Sequence, residues 1–350
     1  VIMICLGYGT RVIARHQAYK DTKLLKIAVI QADIPQCRLP TEEQAVFALE
    51  KHLELTELAA LSNPDMVVWP ETAVPLPYRS SHPVSIKYRR EISRISKEKG
   101  IPFLIGTIDY GDVPFEKRSP DEIPVHNSAI LVGKDGDIVE KYHKVHLVPF
   151  GEYTPFGDHF SKLKKYFGMG RDLTPGRDYT IFELPNGLSA GVNICFEDIF
   201  PDISRKLTKK GAELIFVLTN DAWYPKSSEP EQHFSHSIFR AIENRRKIVR
   251  SGNNNFSSVV SQIGTVEDAI THTKDKKGES IIPYPSKKTR GYGIFQVETP
   301  LRQKTSFYTK HGDVFIMACS LLLLLSCIEI LWKWKNYRQE LAQAFDKKEI

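Results

Sequence analysis

Leu188 to Asp198 reads LSAGVNICFED, an apolar run of strand character that stops at a cysteine, turns acidic and meets Pro201 three residues later. Proline is favoured in the first turn of a helix, so a helix is expected to start near 201. Cys195 then sits on a tight strand-to-helix turn, a place from which a side chain projects into a cleft. A thiol there is either a nucleophile or a small packing residue, because free cysteine is among the most buried residue types. The other segments of the chain decide between the two.

Asp65 to Pro75, DMVVWPETAVP, is a short buried-type strand that ends at Glu71. Lys141 to Tyr153, KYHKVHLVPFGEY, places Lys144 and Glu152 just past another strand. A thiol nucleophile needs a base to take its proton, and the tetrahedral intermediate that it forms needs positive charge or N–H donors. Glu71 and Lys144 fit those two roles.

Strand and helix patterns alternate between these segments. Leu25 to Gln31, Met66 to Trp69, Phe103 to Thr107, Ser189 to Ile194 and Leu214 to Leu218 read as strands. Glu42 to Leu61, Ile86 to Glu98, Asp202 to Lys209 and Gln232 to Arg245 read as helices. Ala129 to Val132 and Ile138 to Tyr142 form a hairpin across Gly133-Lys134-Asp135-Gly136, since Asp-Gly supplies the turn geometry; a second hairpin joins Ser257 to Gln262 with Thr265 to Val266. The class is α/β, with a two-layer sheet core and helices outside.

The three segments, in the order Glu, Lys, Cys, resemble the catalytic elements of the nitrilase (carbon-nitrogen hydrolase) superfamily. WPETA around Glu71, YHKVHLVPFGEYTPF around Lys144, and NDAWY, QHF and RSGNNN between Asn220 and Asn255 are similar, within it, to the apolipoprotein N-acyltransferase family. The resemblance runs from Lys26 to about Trp332. It implies an αββα sandwich in which Glu71 is the general base, Lys144 the oxyanion stabiliser and Cys195 the nucleophile. It also implies supporting roles for Glu152, which orients Lys144, for Phe196 and Glu197 after the nucleophile, and for Asn220 at the cleft. The family often has Tyr where this chain has Phe196, leaving the backbone N–H as the group for an oxyanion. It also often has a Trp near the substrate entrance, where this chain reads Cys37-Arg38-Leu39-Pro40. The implied reaction moves an acyl chain from a phospholipid, through a cysteine thioester, to the α-amino group of a diacylglyceryl apolipoprotein, without a cofactor. The alternatives are a membrane-tethered amidase that uses the same three residues on a small C–N substrate, and a non-catalytic membrane scaffold.

Composition is that of a globular protein: 350 residues, 41% hydrophobic and 26% charged. The net charge of +6 is spread among interspersed acids and bases, which argues against nucleic acid and suits an anionic membrane surface. Five cysteines, at 5, 37, 195, 319 and 327, show neither disulfide-framework nor metal spacing. His143 with His146, and His233 with His236, repeat an H-x-x-H spacing, but no third ligand stands at a recognisable distance, so no metal is expected. Asn220 and Asp221 follow a strand and either line the cleft or cap the next turn.

Val314 to Trp332, VFIMACSLLLLLSCIEILW, is long and apolar enough to cross a bilayer, and Trp332 and Trp334 with Lys333 and Lys335 resemble an interfacial anchor. Val1 to Tyr8 is apolar and too short to span; it reads as the end of a truncated transmembrane helix, with a linker to residue 24. The catalytic domain is expected over 25–300, a linker over 301–313 and a cytoplasmic tail over 333–350. By resemblance the full-length protein is a multi-pass protein of the bacterial inner membrane, with its catalytic domain on the periplasmic side. Phe156 to Arg171 mixes aromatics with lysines and is either a membrane-facing lid or a surface helix. Ile270 to Arg290 lacks periodicity and reads as a flexible loop.

Overall fold

Short β-rich runs alternating with amphipathic helices build two six-stranded sheets. The computed structural model describes residues 2–17, 21–37, 40–111, 123–155, 171–223, 227–270, 289–301 and 303–346. Its contacts divide the chain into two units, Val1–Thr309 and Lys310–Ile350.

The first unit begins with helix α1 (Ile2–Gln17), which runs past the expected limit at Tyr8 into the stretch read as a linker. Strand β1 (Thr22–Gln31) follows, then α2 (Glu42–Ala60), β2 (Met66–Val68), α3 (Pro83–Lys99), β3 (Phe103–Tyr110), β4 (Val125–Val132) and β5 (Ile138–His143). Helix α2 starts at a capping box: Thr41 Oγ1 accepts from the Gln44 N–H, and Gln44 Oε1 accepts from the Thr41 N–H, so two orphan donors are satisfied at once. Helix α3 starts at Pro83 and stops at Gly100, whose φ of 65° ends the helix in the left-handed region. The hairpin β4–β5 turns at Gly136, with φ 78°, as the Asp-Gly pair predicts.

The second half of the unit contains β6 (Phe182–Glu183), β7 (Ser189–Ile194), α4 (Pro201–Lys209), β8 (Leu214–Thr219), α5 (Glu229–Asn244), β9 (Lys247–Gly252), β10 (Ser258–Val260), β11 (Val266–Ala269) and β12 (Gly291–Pro300). One sheet has the order β12-β1-β2-β3-β4-β5 and the other β11-β10-β9-β8-β7-β6. Strands β9 and β12 are absent from the sequence reading. Lys247 and Arg250 break the apolar pattern of β9, and β12 is defined by its antiparallel pairing with β1, from Thr22 opposite Pro300 to Gln31 opposite Gly291.

Alternation along each strand sends one set of side chains between the sheets and the other set outward. Ile27, Val68, Leu104 and Leu131 of the first sheet meet Val192, Ile194, Phe216 and Val249 of the second in a single buried cluster. Ile30, Trp69, Phe103 and Ile130 pack outward against Leu49 of α2 and Tyr88 and Ile92 of α3. Ile215, Val217 and Ile248 pack outward against Phe234 and Ala241 of α5. Helix, sheet, sheet and helix therefore stack as the expected αββα sandwich. Each large apolar side chain so buried contributes about 1.5–3 kcal/mol.

The second unit contains helix α6 (Val314–Asp346), 33 residues long. It continues past the apolar stretch that ends at Trp332, because no Gly or Pro stands between 333 and 346 to stop a helix. Among the described residues it is the one helix long and apolar enough to cross a membrane, over Val314–Glu340. At about 1.5 Å per residue it extends roughly 50 Å, beyond a hydrocarbon core of about 30 Å. The expected lid over 156–171 lies outside the described residues except for Arg171, and the expected loop over 270–290 lies outside them except for its ends.

Candidate active site

Strands β2 and β3 run parallel, and β5 shares their direction because two antiparallel pairings separate it from β3. Glu71 and Lys144 therefore emerge from the same, carboxyl end of the first sheet. In the second sheet β7 and β8 are parallel, so Cys195 and Asn220 also leave from carboxyl ends, where open α/β sheets place their ligand crevices. All four line one cleft of about 800 Å³, together with Glu152, Phe196 and a largely apolar wall that includes Ile34, Pro35, Leu76, Ile108, Phe150 and Trp223.

Cys195 opens a 3-10 turn, Cys195–Ile199, inserted between β7 and α4, and its backbone is left-handed at φ 52°. For a residue with a Cβ that conformation costs about 1–2 kcal/mol. The turn around it is held in place. Glu197, fully buried, accepts from the Ile194 N–H (2.8 Å) on one oxygen, and from the Val145 and His146 N–H groups (2.7 and 3.1 Å) and the Tyr142 hydroxyl (2.8 Å) on the other. Glu197 thereby joins the cysteine turn to the loop that carries Lys144. Burial pushes its carboxyl up to about 7 against the pull of those donors and of Lys144.

Glu71 is equally constrained. Thr72, next in the chain, has φ 49°, unusual for a β-branched residue. Gly106 of β3 admits the Glu71 backbone, since a Cβ at 106 would lie 2.6 Å from the Glu71 Cα and collide with the Pro70 carbonyl. Lys144 is buried, with Glu152 Oε1 at 2.9 Å and Glu71 Oε1 at 3.7 Å. One amide, Asn127 Nδ2, donates to both Glu71 Oε1 and Glu152 Oε1 at 2.8 Å, and Glu152 Oε2 accepts from the Val148 N–H at 2.8 Å.

Electrostatics follow from this packing. Burial raises Glu71, reinforced by Glu152 and opposed by Lys144 and by hydrogen bonds from Asn127 and the Cys195 thiol. Burial and Glu71 push the Cys195 thiol well up, against Lys144. Burial alone would lower Lys144, but Glu152 and Glu71 reverse it and keep the ammonium charged. A thiol and a raised carboxylate beside a fixed cation are an arrangement suited to nucleophilic attack on a carbonyl.

Asn220 and Asp221 both line the cleft. Asn220 accepts from Asn253 Nδ2 at 3.0 Å, and Asn253 in turn holds the backbone of Ile34. Asp221 is buried, accepting from the Thr219 hydroxyl at 2.7 Å and from Arg250 at 2.9 Å. Among the described residues, one group of possible metal donors, Cys195, Asp221 and His233, brings its atoms within 4.8 Å of one another. Both ring nitrogens of His233 are already engaged by carboxylates, Nδ1 by Asp221 and Nε2 by Asp198, each at 2.8 Å. The pair His143 and His146 does not converge: His143 bonds Ser128 and stacks on His126, while His146 packs at a tilt against Phe200. The sequence reading does not mention Asn127, includes Asn253 only within RSGNNN, and weighs His233 only within QHF and as half of an H-x-x-H pair. A polar residue inside a strand or on a helix carries no local mark of what it will face.

Residues 26–276 match the family model for carbon-nitrogen hydrolases. The chain is 29% identical over 321 residues to the apolipoprotein N-acyltransferase of Geobacter metallireducens, covering 91% of this chain and 56% of that one. It is 36% identical over 281 residues to that of Aquifex aeolicus, covering 78% and 57%. The chain thus spans about half the length of the curated relatives it matches. Among solved structures, an amidase from Nesterenkonia superposes with a TM-score of 0.54 at 16% identity, covering 86% of this chain and 98% of that one. A member of branch 10 of the nitrilase superfamily from Saccharomyces cerevisiae superposes with a TM-score of 0.54 at 18% identity, covering 80% and 91%. At those identities the superpositions speak for the fold alone.

Proposed function

The chain belongs to the carbon-nitrogen hydrolase family, and from that premise we propose that it transfers a fatty acyl chain from a phospholipid to the amino terminus of a diacylglyceryl apolipoprotein. The observation that carries the reading is Cys195, left-handed and sharing with Glu71 and Lys144 one cleft of about 800 Å³ whose wall is largely apolar. Such a cleft suits a long acyl chain better than a small amide. The names of the curated relatives point the same way.

Glu71 takes the thiol proton as Sγ attacks the ester carbonyl of the phospholipid. The oxyanion forms beside the Lys144 ammonium and the Phe196 N–H. Lys144 needs no reorganisation for this, because Glu152 already fixes it. The ester C–O bond breaks, Glu71 returns its proton to the leaving alkoxide, and lysophospholipid departs from a Cys195 thioester. The α-amino group of the acceptor then attacks the thioester and Glu71 accepts its proton. The C–S bond breaks and the thiol recovers that proton. Neither half-reaction calls for a redox or metal step.

Helix α6 supports a membrane enzyme, and we infer that the whole protein is a multi-pass protein of the bacterial inner membrane with this domain on the periplasmic side. Incubation with phospholipid labelled in its acyl chains should leave a hydroxylamine-sensitive label that Cys195→Ala abolishes. An unlabelled enzyme that turns over a small amide would instead make it a membrane-tethered amidase.

A further inference from the structure

Helix α5 grips the nucleophile turn from one face. His233, Ser237 and Arg240 stand at i, i+4 and i+7, which aligns them along one ridge. All three are buried. Arg240 donates to the carbonyls of Asp198 and Ile199 at 2.9 and 3.0 Å. The Ser237 hydroxyl donates to the Asp198 carboxylate. His233 Nε2 lies 2.8 Å from Asp198 Oδ1 and 3.2 Å from the carbonyl oxygen of Cys195 itself. Nδ1 lies 2.8 Å from Asp221 Oδ1 with Arg250 Nη2 at 3.1 Å beside it, and against burial and Arg250 the two aspartates hold the imidazole above its usual range. Arg250 closes the network against both aspartates.

A cysteine at φ 52° occupies a region that its own Cβ disfavours, and such a backbone persists only where its surroundings over-determine it. Glu197 fixes the residue before Cys195, and Arg240 fixes the residues at the far end of the turn. The His233 contact is the one described side-chain hydrogen bond made to the Cys195 peptide itself. We propose that His233 is a positioning residue for the nucleophile: its Nε2–H, set by Asp198 on one side and Asp221 on the other, fixes the Cys195 carbonyl and with it the backbone that turns the thiol toward Glu71.

The proposal rests on the reading of Cys195 as the nucleophile, and its test uses two substitutions in the full chain. A glutamine amide can reach the Nε2 position and offers two protons, one for the Cys195 carbonyl and one for Asp198. An asparagine amide reaches only the Nδ1 position and leaves the Cys195 carbonyl without its donor. His233→Gln should therefore acylate from labelled phospholipid within about threefold of wild type. His233→Asn should acylate at least about tenfold more slowly at saturating phospholipid, with KM unchanged. A merely structural role predicts that both variants lose activity in proportion to their loss of Tm. That result, or wild-type acylation by a folded His233→Asn, overturns the proposal. Iodoacetamide alkylation of Cys195 is measured on the same proteins and needs no substrate. If the wild type takes no acyl label, a slower alkylation in His233→Asn than in His233→Gln still upholds the positioning role, and equal rates refute it. Where either variant fails to fold, Ser237→Ala provides the second measurement: it removes one anchor of Asp198 and should slow alkylation while leaving the secondary structure intact, and an unchanged rate counts against the proposal.

Discussion

Replacing Glu152 by glutamine should separate the reactivity of the thiol from the turnover of the enzyme. The Lys144 ammonium is buried, with Glu152 at 2.9 Å and Glu71 at 3.7 Å. At an effective dielectric of about 20 those attractions amount to about 6 and about 4.5 kcal/mol. The substitution thus removes more than half of what compensates a desolvated cation. Breaking a buried pair typically costs about 3–5 kcal/mol, and with Glu71 still present the lower end applies, about 3 kcal/mol. An amide also has a single oxygen, whereas Glu152 accepts from Lys144 and Asn127 on one oxygen and from Val148 on the other, so one donor will face another donor. With an unfolding entropy of about 2.1 cal/mol/K per residue, Tm should fall by about 5 °C. Lys144 then pairs with Glu71 alone and makes it a poorer base, and acyl transfer should fall about 100-fold. The thiol responds in the opposite sense. Glu152 is one of the negative groups that hold Cys195 up, so its loss should move the pH midpoint of iodoacetamide alkylation downward. A midpoint that moves up, or transfer that survives unimpaired, would refute this account of how the three charges divide the work.

Three further outcomes are expected. His233 titrates at about 10 instead of 6.5: burial pulls it down, and Asp198 and Asp221 more than reverse this against Arg250, with Glu229 also facing the ring. Its stabilisation is complete below pH 6.5 and lost as pH rises through about 10, so Tm should decline across that window in the wild type and much less in His233→Gln. Gly106→Ala drives a methyl into the backbone of Pro70 and Glu71, which cannot yield as a side chain would; a loss of about 3 kcal/mol in stability and of nearly all acyl labelling is expected, and labelling of the Gly106→Ala variant at the wild-type rate would contradict it. Leu323→Lys places a charge within α6 at a cost of about 2.5–3.5 kcal/mol at the bilayer centre, and carbonate extraction should release a larger share of the variant than of the wild type.

The sequence discloses the parts of the site that coincide with strand ends. Glu71 and Cys195 each follow an apolar run and Lys144 follows the second strand of the Asp-Gly hairpin, and a charge or thiol at such a point is visible without a structure. Asn127 is hidden because it lies inside β4, an all-buried strand in which one amide looks like any other interruption. The roles of His233, Ser237 and Arg240 are hidden because they depend on which face α5 presents to the 195–199 turn; H-x-x-H spacing pairs His233 with His236, which is off that ridge. Strand β9 escapes because Lys247 and Arg250 look solvent-bound, yet both are buried, one paired with Glu267 and the other with Asp198 and Asp221. Helices α1 and α6 run past the apolar runs that mark them for a simpler reason. An apolar run marks where a helix could lie in a membrane, and the helix itself continues until something in the sequence stops it.

The pairing of β1 with β12 also sets a schedule. About 270 residues separate the two strands, and a ribosome adding about 5–20 residues per second needs about 15 to 50 s to make the second after the first. Throughout that interval β1, ten residues long and apolar, offers an unpaired ladder on its outer side. Any nascent chain of this protein that ends before Gly291 is therefore a sheet with a missing border. Stalled chains of that kind should bind holdase chaperones and lack a protease-resistant core, whereas chains that have released Pro300 should show neither trait.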